Sequence, residues 1–251
     1  MPVEIEAIRP LADTAFTLDL APAAGEDAAR RVHTATAVLN AAIADGRLPG
    51  VTEVAAAFRS VTVHHDPLRT DRASVLKAVV PLLEQTTPAA ALTGALWTLP
   101  ICHDTDLAPD LADVADRTGL SPEDVIARHL STDYSVYCIG FLPGFPFMGD
   151  LDATLRLPRR TSPRTRVPAG SVAIANGMTA IYPWESPGGW HLLGRCPVPL
   201  FDSTRTAPAL LSAGDRVRFQ AVSRTDFDQL TTQAAAGSLD LSQFRRTGDA
   251  S

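Results

Sequence analysis

The chain has 251 residues, 45% apolar and 20% charged, which excludes a disordered, collagenous or disulfide-scaffold protein and leaves room for one large domain or two small ones. A formal charge of −6 excludes a globally basic surface, so no nucleic-acid partner is expected. Cys102, Cys138 and Cys196 are far apart, odd in number and form no CxxC pair, which points to a reducing, cytoplasmic setting with buried thiols.

The first residues, MPVEIEAIRP, carry two early glutamates and no apolar run, so no secretory signal is expected there. No apolar stretch approaches the ~20 residues of a membrane span, and no membrane partner is expected. Lys77 is the only lysine and no GxxxxGK occurs, so a P-loop is excluded.

In chain order, Val3 to Ile8 and Thr14 to Leu20 read as strands joined by a turn at Pro10–Asp13. Glu26 to Gly46 follows as a helix whose Val32, Ala35, Leu39 and Ile43 make one stripe. Val51 to Phe58 and Ser60 to His65 are strands, Thr70 to Gln85 is a helix capped by Thr70 or Asp71, and Ala95 to Cys102 is a further strand. This ββαββαβ order predicts a small α+β domain over residues 1–103.

Two short helices come next, Pro109 to Gly119 and Ser121 to Leu130. In the second, Ser121 is the cap, Pro122 the first helical residue and Asp124 the capping-box acid. The pattern then changes. Residues 140–199 hold 9 prolines and 8 glycines, which excludes long helices and predicts short strands joined by tight loops. Val172 to Ala175, Thr179 to Tyr182, Trp190 to Leu193 and Arg216 to Val222 are the expected strands of a mainly-β barrel or sandwich domain over residues 104–240. Thr225 to Ala236 reads as a closing helix with Thr225 and Asp228 as its capping box, and 241–251 as a flexible tail.

Three segments could carry chemistry. In Gly140 to Asp152, GFLPGFPFMGDLD, prolines and glycines fix a turn and hold aromatic rings at set angles; the plain reading is a hydrophobic plug. Pro158 to Gly170 belongs to a run of five arginines, Arg156, Arg159, Arg160, Arg164 and Arg166, in an otherwise acidic chain. Most of these suit a solvated face, while Arg164 or Arg166, stiffened by Pro163 and Pro168, is a candidate anion anchor. In Tyr182 to Arg195, the turn Ser186-Pro187-Gly188-Gly189 is a candidate nest of backbone N–H groups, flanked by Trp184 and Trp190.

The six histidines show no HxH or HExxH spacing, and His64 and His65 face opposite sides of one strand, so no metal site is expected. Ser171 has no GxSxG elbow around it. The proline loop, an arginine and the glycine turn are expected to wall one pocket. There Arg164 either holds an anion or ties the loops together through an acid such as Glu185.

HLSTDYSVYCIGFLPGFPFMGDLD, PRRTSPRTRVPAGSVAIA, IYPWESPGGWHLLGR and PLFD, in that order over residues 129–202, strongly resemble the allophanate hydrolase subunit 1 family, which includes the B component of 5-oxoprolinase and a sporulation-kinase inhibitor. Pro49 to Pro67 resembles it more loosely. The resemblance implies a cyclophilin-like β-barrel in the C-terminal half after a separate α+β domain. It implies a subunit that acts with a larger one, of the allophanate hydrolase subunit 2 or 5-oxoprolinase C component type, plus a third protein, to open a lactam or amide substrate at the expense of ATP with Mg²⁺. The isolated chain is then expected to be inactive. Two alternatives are a non-catalytic inhibitor of a sensor histidine kinase and an allophanate hydrolase subunit; a prolyl isomerase would rest on fold alone.

The same resemblance implies a ligand pocket from His129, Pro143, Gly144, Phe145, Arg164, Ser171, Tyr182, Pro187, Gly188, Gly189, Trp190 and Arg195, with no catalytic residue assigned; in it Phe145, Arg164, Tyr182 and Trp190 are expected to line one concave site, with His129 near its rim. The chain departs from the family pattern at Asp150, Met178 and Ala180, where glycine, glutamine and glycine are usual.

Overall fold

The computed structural model describes residues 3–88 and 94–246, and chain contacts divide it into two units, Met1–Leu92 and Thr93–Ser251. The first contains strands β1 (Ala7–Leu11) and β2 (Ala15–Asp19), helix α1 (Glu26–Ala44), strands β3 (Val51–Ala56) and β4 (Ser60–His65), and helix α2 (Arg72–Glu84). The strands form an antiparallel sheet in the order β1-β2-β4-β3. Its core joins Phe16, Leu18, Val61 and Val63 to Val32, Ala35 and Leu39 of α1 and to Val75, Val79 and Leu83 of α2. The Asp71 carboxylate caps α2 by accepting the Ser74 N–H at 2.8 Å.

The first strand begins four residues later than its hydrophobic pattern suggests and runs through Pro10. As an edge strand, β1 can carry a residue without an N–H on its unpaired side.

The second unit contains β5 (Leu96–Ile101), α3 (Leu111–Thr118), α4 (Pro122–Leu130), β6 (Asp133–Ile139), β7 (Pro146–Gly149), β8 (Arg164–Val167), β9 (Ser171–Ala175), β10 (Met178–Ile181), β11 (Ser186–Gly188), β12 (His191–Arg195), β13 (Arg216–Ala221), α5 (Arg224–Ala235) and β14 (Arg245–Arg246). Eight of these strands form one sheet, ordered β12-β9-β10-β7-β6-β13-β5-β14, and β8 pairs with β11 apart from it. Cys102, just past β5, exchanges two hydrogen bonds with Arg195 at the end of β12, both 2.9 Å. That bridge brings the β12 edge round to the far side of the sheet, so the sheet curls into a barrel-like layer. Leu99, Ile101, Val136, Val172, Ile174, Val217 and Phe219 fill its core.

The strand ending at Cys102, expected to complete the N-terminal unit, lies instead in the second sheet. The reason is that β5 runs parallel to β13 over six paired residues, Leu96–Ile101 against Arg216–Ala221. The buried Asp215 carboxylate secures this join by accepting the Ala95 N–H at 2.8 Å, the Trp97 indole N–H at 3.0 Å and the Ser212 N–H at 2.9 Å.

The segment expected to be a tail from residue 241 is partly structured. Phe244 is buried and β14 pairs with Trp97 and Leu96, while residues 247–251 lie outside the described range. Helix α5 starts earlier than expected, since Ser223 rather than Thr225 caps it and accepts the Asp226 N–H at 3.1 Å. The Ser121 cap of α4 forms as read, accepting the Asp124 N–H at 3.0 Å. No helix among the described residues is long and apolar enough to cross a membrane.

Candidate functional site

Gly140 to Pro146 links β6 to β7 through a loop closed by Gly140 N–H to the Phe145 carbonyl at 3.1 Å and Phe145 N–H to the Leu142 carbonyl at 3.0 Å. Two residues adopt left-handed backbone there, Phe141 at φ 67° and Gly144 at φ 77°. A Cβ on Gly144 would stand 2.8 Å from the Phe201 Cβ, so both conformation and space call for glycine. The loop turns Phe141 outward, 66% exposed, and drives Phe145 inward, 1% exposed.

Phe145 is the hub of an aromatic cluster. Its ring meets Tyr182, Trp190 and Phe141 edge to face at centroid distances of 5.1, 6.3 and 5.4 Å, and Phe147 lies 4.8 Å away. These geometries match the preferred edge-to-face arrangement of aromatic quadrupoles. Above the cluster opens a cleft of about 380 Å³, walled by these five rings, by Arg159, Arg160 and Pro163, and by Pro187, Gly188 and Gly189.

The structure thus brings Phe145, Tyr182, Pro187, Gly188, Gly189 and Trp190 of the expected set together. Gly188 makes the approach possible, because a Cβ there would lie 2.3 Å from the Tyr182 hydroxyl. The Ser186–Gly189 segment is not an open nest: Ser186–Gly188 is β11, paired with β8 so that Gly188 faces Arg164. The Gly189 carbonyl accepts the Arg160 N–H at 2.7 Å, tying the arginine loop to the cleft wall.

The arginines divide in an order the sequence does not reveal. Arg164 does not line the cleft. Its two terminal nitrogens bind both oxygens of Asp110 at 2.8 and 2.7 Å, and Arg160 reaches the same carboxylate at 2.8 Å. Asp110, 4% exposed at its side chain, also accepts the Leu192 N–H at 2.7 Å. Burial pushes its carboxyl up, but the hydrogen bonds from Arg164 and Leu192 and the charges of Arg164 and Arg160 together hold it below the ordinary carboxylate range. Glu185, the acid considered for Arg164, pairs instead with exposed Arg166 at 2.9 and 3.0 Å.

Arg159 remains. It is exposed, lines the cleft and has no acidic partner among the described residues. Burial pushes the Tyr182 phenol up, and the charge of Arg159 is the largest influence opposing it.

Other expected site residues lie elsewhere. His129 is fully buried in α4 rather than at the cleft rim, stacked on Phe219 at 5.0 Å with Nε2 3.0 Å from the Thr179 hydroxyl. Burial, with a smaller contribution from His103, pushes its pKa down to about 3, so it is a neutral core residue. Ser171 is buried in β9 opposite Arg195 in β12. Arg195 lines a separate cavity of about 250 Å³. Pro143 and Gly144 shape the loop without lining the cleft. Cys138 and Cys196 are buried, and burial pushes both thiols up to about 12, so neither is an activated nucleophile.

Sequence reasoning missed Phe141, Phe147, Arg159, Arg160 and Pro163 as lining residues and Asp110 as the clamp. The spacing of Phe145 and Phe147 by two was a signal for a shared strand face. Of the departures, Ala180 is fully buried in the aromatic cluster, Met178 packs against it, and the Asp150 carboxylate accepts the Tyr137 hydroxyl. No group of three or more His, Cys, Asp or Glu side chains converges as a metal site among the described residues.

Residues 6–211 match the family model of the carboxyltransferase domain, subdomain C and D. The chain belongs to this family. Within it, the chain is 36% identical over 230 residues to the B component of 5-oxoprolinase from Bacillus subtilis, covering 88% of this chain and 94% of that protein. It is 40% identical over 174 residues to the corresponding B component from Escherichia coli O157:H7, covering 68% of this chain and 78% of that one. Among solved structures, TTHA0988 matches with a TM-score of 0.73 and 38% identity over 84% of this chain, which spans only 40% of that longer chain. Urea carboxylase of Kluyveromyces lactis shares the fold, with a TM-score of 0.75 at 19% identity over 94% of this chain and 24% of its own. Family membership agrees with the resemblance carried by the four motifs.

Proposed function

We propose that this carboxyltransferase-family chain is the smaller subunit of an ATP-dependent cyclic-amide hydrolase of the 5-oxoprolinase type. It acts in the cytoplasm with a larger partner of the 5-oxoprolinase C component type. The observation that carries this reading is 36% identity extending over 94% of the Bacillus subtilis 5-oxoprolinase B component. The separate α+β and cyclophilin-like barrel domains implied by the motifs belong to the same proposal.

The aromatic cleft suits the substrate class. A 5-oxoproline molecule has a small flat ring and one carboxylate. The ring fits against Phe145, Tyr182 and Trp190, and the carboxylate is matched by Arg159, the lining guanidinium that Asp110 leaves free. In this role the chain binds and orients the lactam and shields it from water, while Asp110 holds the arginine loop in place.

The residues present do not make a site for ATP with Mg²⁺. Two of the arginines near the cleft are committed to Asp110, the glycine turn is a paired strand, and the chain has no P-loop lysine. A triphosphate needs several convergent cations or free N–H groups, so ATP is assigned to the assembled complex and no step is routed through it here.

The test is to purify the chain alone and with a partner of the 5-oxoprolinase C component type and the third protein. Glutamate release from 5-oxoproline is then followed with and without ATP. Activity confined to the ATP-supplied complex is expected. Full activity of the isolated chain, or no association with such a partner, would overturn the proposal.

A further inference from the structure

The second cavity, about 250 Å³, shares Tyr182 with the aromatic cleft as a lining residue. Among the described residues its only charged lining residue is Arg195. That side chain is half-buried, and its Nε donates to the Ala169 carbonyl at 2.7 Å. Among the described residues no carboxylate is paired with it. Asp106, whose charge it senses, is engaged by Arg224 at 2.9 and 3.0 Å. Most arginines of this chain have carboxylate partners, including exposed Arg166 and Arg224. A partly desolvated guanidinium without one is a standing electrostatic cost unless something supplies a counter-charge.

The walls narrow the choice of counter-charge. Pro183, Pro197 and Pro199 have no backbone N–H, so beside Arg195 the cavity offers few donors to a neutral polar ligand. Val198, Leu200 and Phe227 supply an apolar lining. With Nε occupied, the two terminal nitrogens form a fork that matches a carboxylate. One cation neutralises a monoanion, whereas a phosphate dianion would keep an unbalanced buried charge. The volume lies below the roughly 300 Å³ that begins the range for drug-sized ligands, so the occupant is small.

We propose that this cavity is a binding site for a small organic monocarboxylate, its charge held by Arg195 and its apolar body packed against Val198, Leu200 and Phe227. The site is separate from the aromatic cleft and does not depend on the oxoprolinase reading.

The probe is 4-fluorobenzoate, titrated into the full chain and followed by ¹⁹F NMR, with 4-fluorobenzamide as the neutral match. Saturable binding of the carboxylate and none of the amide over the same range is expected. Arg195→Gln is expected to weaken binding by about tenfold or more, the usual consequence of losing a charge-assisted pair. Thr231→Trp, made on the exposed face of α5 at the cavity mouth, is expected to abolish binding by filling the space while leaving the cation in place. Arg159→Gln, which removes the aromatic cleft's own carboxylate partner, is expected to leave the Arg195-dependent binding unchanged. No saturable binding, equal binding of the amide, or loss on Arg159→Gln, which would move the ligand to the aromatic cleft, overturns the proposal. Undiminished binding in Arg195→Gln overturns it equally. Should that variant unfold, Thr231→Trp decides, and retained affinity there overturns the site.

Discussion

Arg164 grips Asp110 with both terminal nitrogens, at 2.8 and 2.7 Å, and so fastens the strand after the arginine loop to the residue that opens α3. The pair sits behind the aromatic cleft rather than in it. Because Asp110 also takes Arg160 and the Leu192 N–H, one buried carboxylate orders the loop, the β12 backbone and the cleft wall together.

Arg164→Ala is therefore expected to act on stability. Removing one member of a buried pair leaves a desolvated charge, a loss of up to about 3–5 kcal/mol, and Arg160 retains part of the compensation here. Chemical denaturation is expected to show a loss of about 2–3 kcal/mol with the affinity of a small anion for the cleft unchanged. Arg159→Gln is expected to do the reverse. A stable Arg164→Ala that has lost anion binding would return Arg164 to the ligand.

His129 predicts a pH dependence. Its folded pKa is about 3, below the ordinary histidine value of about 6.5, so the folded state disfavours the proton that the unfolded chain takes up. Its contribution is full above about pH 6.5 and is lost as pH falls toward 3. The slope approaches about 1.4 kcal/mol per pH unit, one proton's worth. Denaturation midpoints from pH 7 to pH 4.5 are expected to fall along this slope and to flatten in His129→Gln. An unchanged slope in that variant would remove His129 as the cause.

Some of this was legible beforehand and some was not, for physical reasons. The α4 cap was readable because Ser121, Pro122 and Asp124 act within one turn. The aromatic grouping was readable because Pro and Gly restrict the backbone around Phe145 and Trp190. The partner of Arg164 was not, since Asp110 lies 54 residues away and only the fold brings them together. Nor was the place of β5. Its local pattern says strand, but its neighbour β13 comes more than a hundred residues later, and nothing local encodes a parallel pairing at that distance. His129 was misplaced because one histidine on a helix reads alike whether it faces a cleft or a core.

The place of β5 has its own test. The buried clusters of the two units share no residue, and Trp97, Leu99 and Ile101 belong to the second. A fragment covering residues 94–246 is expected to be soluble and to unfold cooperatively. One that begins at residue 104 lacks these side chains and the ladder with β13, and is expected to be insoluble or molten. Equal folding of both fragments, judged by near-ultraviolet circular dichroism, would show that β5 is dispensable.

Gly188 offers the sharpest test of the cleft. Its missing side chain is where the Tyr182 ring lies, with the hydroxyl 2.3 Å and two ring carbons 2.9 Å from the place a Cβ would take. Tyr182 cannot swing aside freely, since Phe145 meets it edge-on at 5.1 Å and the ring is 2% exposed. Gly188→Ala must therefore push the tyrosine into the aromatic cluster or distort β11. Overpacking of this kind costs about 1–3 kcal/mol. On the proposed function, the variant in the assembled complex is expected to raise KM for the lactam by more than its modest loss of stability would suggest, because the displaced ring would occupy the space proposed for substrate. Tyr182→Phe removes the nearest atom, the hydroxyl, and in the double variant is expected to recover part of the affinity. A Gly188→Ala protein with unchanged KM would mean that the substrate does not use this cleft, whatever its effect on melting.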